Sequence, residues 1–159
     1  MTGTLVKYEA ACQALAVAKT VDEAKDIHDK ADAMRAYARQ AKNRELEVDA
    51  AEIRMRAERK LGELITAQKE TVGLNKGGGG RDATGSRVAP VEAKATLAEA
   101  GIDKKLSSRA QKLAAVPEDR FEGMVGDWRG RVEQETERVT VNLLREGERA
   151  QRDDELAQR

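Results

Sequence analysis

The sequence predicts an all-α protein: a long N-terminal helical hairpin or coiled-coil-like region, a glycine-rich linker, a small helix-turn-helix unit and a C-terminal charged helix. Three observations carry this expectation. Alanine supplies 26 of the 159 residues, and 36% are charged; Ala, Glu, Arg and Lys are strong helix formers. Aromatics make up only 3% and prolines number two, which leaves little from which to build a sheet. Apolar positions recur at helical spacing along most of the chain. Leu, Ile, Val and Phe together total 29 residues, so the cores are thin. Low apolar content leads to disorder chiefly when net charge is high, and here the net charge is zero.

The first helix is expected over residues 4–18, with Leu5, Tyr8, Cys12, Leu15 and Val17 on its apolar side. Cys12 is the single cysteine. It excludes an internal disulfide, reads as a plain buried thiol and suits a reducing, cytoplasmic setting. No signal peptide and no apolar run of membrane-spanning length appear, so no membrane partner is expected.

Thr20 with Glu23 three residues on forms a capping box, which starts a second helix near Val21. No stop signal follows until about Thr71, and fifty residues of helix would span roughly 75 Å. The stripe is Ile27, Ala31, Met34, Ala38, Ala41, Leu46, Ala50, Ile53, Ala57, Leu61 and Leu64. Its mean step of about 3.7 residues exceeds the 3.5 of a left-handed coiled coil. The first helix covers only part of this stripe. Residues 1–70 are therefore expected to be an association region, covered by a second copy in a homo-oligomer or by a later helix.

Residues 71–90 hold six glycines and end at Pro90. Glycine loses the most backbone entropy on ordering, so this stretch is expected to be a flexible linker between the first region and a second over 91–159. GLNKGGGG is not a phosphate loop: Arg81 follows the glycines where Lys and then Ser or Thr are needed, and no strand precedes it.

Beyond the linker, VEAKATLAEA and KKLSSRAQKLAAV read as two short helices separated by Gly101, Ile102 and Asp103. Glycine takes the left-handed turn conformation readily, Ile102 pins the pair, and Asp103 caps the next helix. Leu106, Ala110 and Leu113 share a buried face. Lys104, Lys105, Ser108, Arg109 and Lys112 share the outer one, which carries four cations and no acid. A recognition helix puts such side chains in the major groove of double-stranded DNA. Arg109 is the candidate base reader through its planar fork. The lysines are candidate phosphate contacts, which position without specifying. After Pro117 a short helix is expected in EDRFEGMV. A charged helix is then expected from Asp127, with Trp128, Val132, Val139 and Leu143 on one face and Trp128, Phe121 and Met124 as core.

Gly101, Asp103, Ser108, Leu113, Val116 and Pro117 resemble the helix-turn-helix spacing of the ParB partition-protein family. Ser107 stands where that family usually has an aliphatic residue, and Gln111 where it has leucine. The resemblance is confined to this segment, so it implies DNA binding by the helix and not partition. A longer resemblance, through RAYARQAKNRELEVDAAEIRMRAERKLGELI and GIDKKLSSRAQKLAAVPEDRFE, is to small helical proteins of phages and prophages. These are related to the region preceding phage adenine methyltransferase domains. The methyltransferase's own Asp-Pro-Pro-Trp-type motif is missing, so the resemblance implies a helical accessory part without the enzyme.

The remaining polar residues read as surface. Arg54, Arg56, Arg59 and Lys60 interleave with Glu52 and Glu58, so i,i+4 ion pairs explain much of that cluster, with auxiliary phosphate contact second. His28 is the one histidine and is expected on a solvated acidic face. Glu45 and Asp49 lie on a surface helix with nothing to raise a carboxyl pKa for acid–base work. No catalytic residue, metal site or cofactor is expected. The function read from the sequence is a non-enzymatic DNA-binding accessory or regulatory protein of phage or prophage type. The alternative is a helical adaptor or scaffold for a methyltransferase or replication protein, without direct DNA binding.

Overall fold

The structure, a computed structural model, describes residues 2–71, 97–134, 139, 142–145, 148 and 156, with side chains from residue 7 onward. Among the described residues five helices follow in chain order: α1 Thr2–Val17, α2 Val21–Gln40, α3 Arg44–Thr71, α4 Lys104–Ala115 and α5 Glu118–Gln134. The fold is all-α, as the composition predicts. Residues 72–90 of the expected linker, and most of the helix expected before Gly101, lie outside the described residues. The capping box is present: Thr20 accepts from the Glu23 backbone at 3.3 Å, and Glu23 accepts from the Thr20 backbone at 3.3 Å.

The uninterrupted helix expected over residues 21–71 is corrected. The chain reverses at Ala41–Asn43, where Lys42 adopts a left-handed φ of 54°. Lys42 N–H bonds the Arg39 carbonyl at 3.1 Å and Asn43 N–H bonds the Ala38 carbonyl at 2.9 Å. This is the paired 5→2 and 6→1 closure of a helix C-terminus that usually employs glycine. Asn43 then caps α3, its side-chain oxygen accepting from the Leu46 backbone at 3.1 Å. The signal in the sequence was Asn43 ahead of two acids in the first turn, Glu45 and Glu47. Lysine at the left-handed position concealed it.

α2 and α3 therefore form an antiparallel hairpin, with Arg39 beside Glu47, Arg54 beside Asp32 and His28 beside Glu58. The stripe largely folds onto itself: Ala31, Ala38, Ala50, Ala57 and Leu61 are buried, while Met34 remains partly exposed. The expectation of association rested on that stripe lacking cover, and it loses this premise. α1 packs on both hairpin helices, with Leu15 and Ala18 buried and Cys12 half-buried rather than buried.

α3 has 28 residues and is about 42 Å long; it is the platform for the rest. Ile102 and Ala110 join Ala24, Leu61 and Ile65 in one buried cluster. Phe121, Val125, Trp128 and Val132 of α5 join Val48, Ala51 and Met55 of α3, Leu113 of α4, and Val139 and Leu143 in another. Both clusters draw on each side of the glycine-rich stretch, so the two regions expected as separate units share their cores. EDRFEGMV and the start of the charged segment form one helix, α5, not two. Val116 sits at ψ 131°, the extended conformation a residue before proline prefers, and the Pro117 carbonyl accepts from Phe121 N–H at 2.9 Å to open α5.

Candidate nucleic-acid interface

The turn into α4 is built as its residues dictate. Gly101 has φ +71°; its N–H bonds Ala98 O at 3.0 Å and Ile102 N–H bonds Leu97 O at 2.9 Å. Ile102 is buried against Leu97 and the α3 side chains. Asp103 caps α4, accepting from the Leu106 backbone at 2.6 Å. At the far end Arg59 of α3 donates to the carbonyls of Leu113 (3.1 Å) and Val116 (3.0 Å), adding to the bond that the Leu113 carbonyl already accepts from Val116 N–H at 3.2 Å. Its guanidinium also lies 4.9 Å from the centre of the Phe121 ring. α4 is thus fixed at both ends and pressed on α3 along its length.

Lys104, Lys105, Ser108 and Lys112 are exposed. No acid among the described residues forms an ion pair with any of these three lysines. α4 stands as a ridge between two open clefts. One, of about 490 Å³, is lined on its far side by Leu97, Ile102 and Asp103. The other, of about 710 Å³, is walled opposite α4 by Asn142, Leu144, Arg145 and Glu148. Lys104, Ser108 and Lys112 border both clefts; Lys105 and Arg109 border the larger.

Arg109 is placed differently from the expectation. Its guanidinium grips both carboxylate oxygens of Glu58, with Nη2 donating to Oε2 at 3.1 Å and Nε to Oε1. Glu58 is buried on α3, at 1% exposure. The fork assigned to a base edge is committed inside the protein, so Arg109 holds α4 on α3. Ser107, in the aliphatic position of the resembling family, is buried and bonded to Gln111 (Nε2 to Oγ, 2.9 Å). Gln111 in turn accepts from Lys69 at 2.6 Å.

His28 is also corrected: it is buried, not solvated. Helical rotation carries it from the acidic run onto the α3 side of α2. Its Nδ1 lies 3.2 Å from Asp29 and its Nε2 lies 3.8 Å from Glu58, and Nε2 finds no hydrogen-bond partner among the described residues. Burial alone would raise the Glu58 carboxyl, but His28, Arg109 and Arg54 beside it outweigh that and hold it below its usual value.

The cluster Arg54, Arg56, Arg59 and Lys60 serves internal pairing. Arg56 bonds Glu122 of α5, at 2.9 Å from Nη2, and Glu52 at 3.0 Å. Glu52, at 4% exposure, also accepts from Arg129 at 2.6 Å and from the Tyr8 hydroxyl. Arg129 reaches Asp49 at 2.8 Å as well. Burial and the Glu52 carboxylate push the Tyr8 hydroxyl well above the usual tyrosine range, so it remains a donor. One buried carboxylate thereby ties α1, α3 and α5 together. Among the described residues no cluster of His, Cys, Asp and Glu is arranged to hold a metal, and no helix is long and apolar enough to cross a membrane.

Comparison with protein-family models, with curated proteins and with solved structures finds no match to the chain.

Proposed function

We propose that the chain is a non-enzymatic DNA-binding accessory or regulatory protein, of the phage or prophage kind the sequence resemblance implies, with α4 as the helix that meets double-stranded DNA. The observation that carries this reading is the contrast between cations. Arg39, Arg54, Arg56, Arg59, Arg109 and Arg129 are all spent on internal partners. Lys104, Lys105 and Lys112 are exposed along one ridge without an ion pair among the described residues. A helix about 10–12 Å across with its side chains fits a major groove about 12 Å wide, and the two phosphate strands then run along its flanks, where the clefts lie. Since Arg109 is engaged with Glu58, the lysines carry the binding, and they contact phosphates. Weak sequence preference follows.

The test is duplex binding across a salt series. Replacing Lys104, Lys105 and Lys112 together by Ala lowers affinity and reduces the slope of log K against log salt by about 0.9 for each phosphate no longer neutralised. Unchanged binding and slope would reject the reading. A helical adaptor is the second reading, favoured by one observation: Met34 and Tyr37 are 40% and 63% exposed, one turn apart on α2.

A further inference from the structure

The larger cleft beside α4 has a second wall, and we infer that this wall, through Arg145, grips a nucleic-acid phosphate from the side opposite the α4 lysines. The inference rests on the DNA-binding reading and adds a contact from a part of the chain remote in sequence. Arg145 is exposed and lines the cleft facing Lys104, Lys105, Ser108 and Lys112.

The wall is anchored rather than loosely apposed. Val139 and Leu143, each 2% exposed, sit in the cluster built around Trp128, Phe121 and Met55. Arg35 of α2 donates to the Val139 carbonyl at 2.8 Å. Asn142 caps the turn that follows, accepting from the Arg145 backbone at 3.3 Å. Arg145 therefore projects from a backbone fixed two residues earlier by a buried leucine.

The charge of the cleft fits an anion. Lys104, Lys105, Lys112 and Arg145 border it, and Glu148 is its only acid among the described residues. Arg109 borders it too but is neutralised by Glu58. The other cleft shows the contrast. It has Lys104 and Lys112 on the ridge, but its far wall offers Leu97, Ile102 and the Asp103 carboxylate, which is occupied in capping α4. The two flanks of the ridge are thus unequal, and the flank beside Asn142, Leu144, Arg145 and Glu148 is the one that can hold a phosphodiester backbone from two sides. Among the described residues no aromatic side chain lines it, so they offer no stacking platform of the kind single-strand binders use. The grip is on the backbone alone. An arginine suits this place because its planar fork takes a phosphate through two parallel hydrogen bonds.

The test measures binding of one random-sequence duplex, and of its separated strand, to the full chain and to Arg145→Ala, Arg145→Lys and Lys105→Ala, with helical content followed by circular dichroism. Arg145→Ala is expected to weaken binding several-fold at low salt and to flatten the salt slope by about 0.9 on duplex, or about 0.7 on a single strand. Arg145→Lys should restore the slope, which a purely structural role for the side chain would not do. The nucleic acid whose slope changes identifies the source of the phosphate. If Lys105→Ala weakens binding and Arg145→Ala does not, the second wall is idle: the inference falls and the α4 reading stands. If Arg145→Ala tightens binding, the segment shields α4, and the inference is overturned in favour of a strap. If none of the variants changes binding, the DNA-binding reading itself fails.

Discussion

Against the N-terminal half of α3, α5 presents Phe121, Val125, Trp128 and Val132, all buried. Against the C-terminal half, α4 presents Ser107 and Ala110, both small, while its Leu113 reaches into the α5 cluster. α5 keeps its glycines away from the contact: a Cβ built at Gly123, Gly126 or Gly130 meets nothing within 4 Å among the described residues. α4 has the reverse arrangement. The glycine is in the platform, at Gly62, where a Cβ would lie 1.9 Å from the Ala110 carbonyl oxygen. One helix is held by side-chain volume and by the Glu52 and Glu122 ion pairs, the other by backbone approach and a single buried pair, Arg109 with Glu58. Side-chain packing can relax by changing rotamer, whereas a backbone contact cannot. The placement of α4, the helix that carries the candidate interface, is therefore the more tightly specified of the two.

The largest expected effect sharpens the α5 side. Glu52→Ala removes the acceptor of Tyr8, Arg56 and Arg129 at once and leaves guanidinium groups partly buried without it. Breaking a buried pair by deleting one partner costs about 3–5 kcal/mol. The partners here are a quarter to a third exposed, at 24% for Arg56 and 33% for Arg129, which places the loss toward the lower end. Urea denaturation of the variant reads it directly. A loss under about 1 kcal/mol would be the value of a surface pair, and the volume of Phe121 and Trp128 would then hold α5 alone.

Gly62→Ala comes next and probes the α4 side. Inserting a methyl group into a closed contact costs about 1–3 kcal/mol, and here the obstacle is backbone. α4 must move off α3, which loosens Arg109 from Glu58. Trp128, the one tryptophan, lies in the α5 cluster, which Leu113 of α4 joins. The expected result is lower stability in denaturation, weaker duplex binding and a shift in native tryptophan emission, because Leu113 moves with α4. Unchanged stability and emission would mean that α4 takes up the methyl group without leaving α3.

Acid should act through the carboxylates that bridge the helices. The Glu58 carboxyl lies below its usual value of 4.5 in the folded chain. Glu122 is lowered too, chiefly by its hydrogen bonds from Arg56. Between the folded and unfolded values the unfolded chain binds more protons, so their contribution is present above pH 4.5 and is lost as pH falls through the folded values. The stability of Glu58→Gln should decline less steeply than that of the parent below pH 4.5. Equal slopes would assign the acid loss to Glu122 and other groups.

Much of α4 was legible in the sequence because its determinants are local. Gly101, Asp103 and Pro117 act within a few residues of themselves, and the turn, cap and terminator follow from dihedral preference and one hydrogen bond each. The capping box at Thr20 is of the same kind. What was not legible depends on partners far along the chain. Arg109 read as outward because helical periodicity places it on the polar side, yet Glu58 lies 51 residues earlier and captures it. His28 read as solvated for the same reason, since its surroundings come from another helix, and the periodicity that paired Glu52 with Arg56 four residues on could not show Tyr8 and Arg129 reaching the same carboxylate. The reversal at Lys42 was missed because lysine is rare in the left-handed region. Gly62 was a readable signal passed over: a glycine inside a helix costs about 1 kcal/mol against alanine, and a close helix approach is a usual reason to keep one.

The smallest expected effect is also the one with the opposite sign. Gly123, Gly126 and Gly130 lie inside α5, in helical conformation, where glycine is unfavourable because the unfolded chain has more freedom to lose. Alanine at each position reduces that freedom and adds a methyl group that meets no atom of the described residues within 4 Å. Each substitution should therefore stabilise by about 0.4–1 kcal/mol, a rise of up to about 2–4 °C in Tm for a chain of this size. The three positions lie on the side of α5 away from Phe121 and Trp128, so native tryptophan emission should stay constant. The same change, glycine to alanine, then lowers stability in α3 and raises it in α5, because only the α3 glycine has a carbonyl where the new methyl group would go. A destabilising result at Gly126 would show that this face of α5 is covered in solution by backbone from another copy, and that α5, like α4, is placed by close approach.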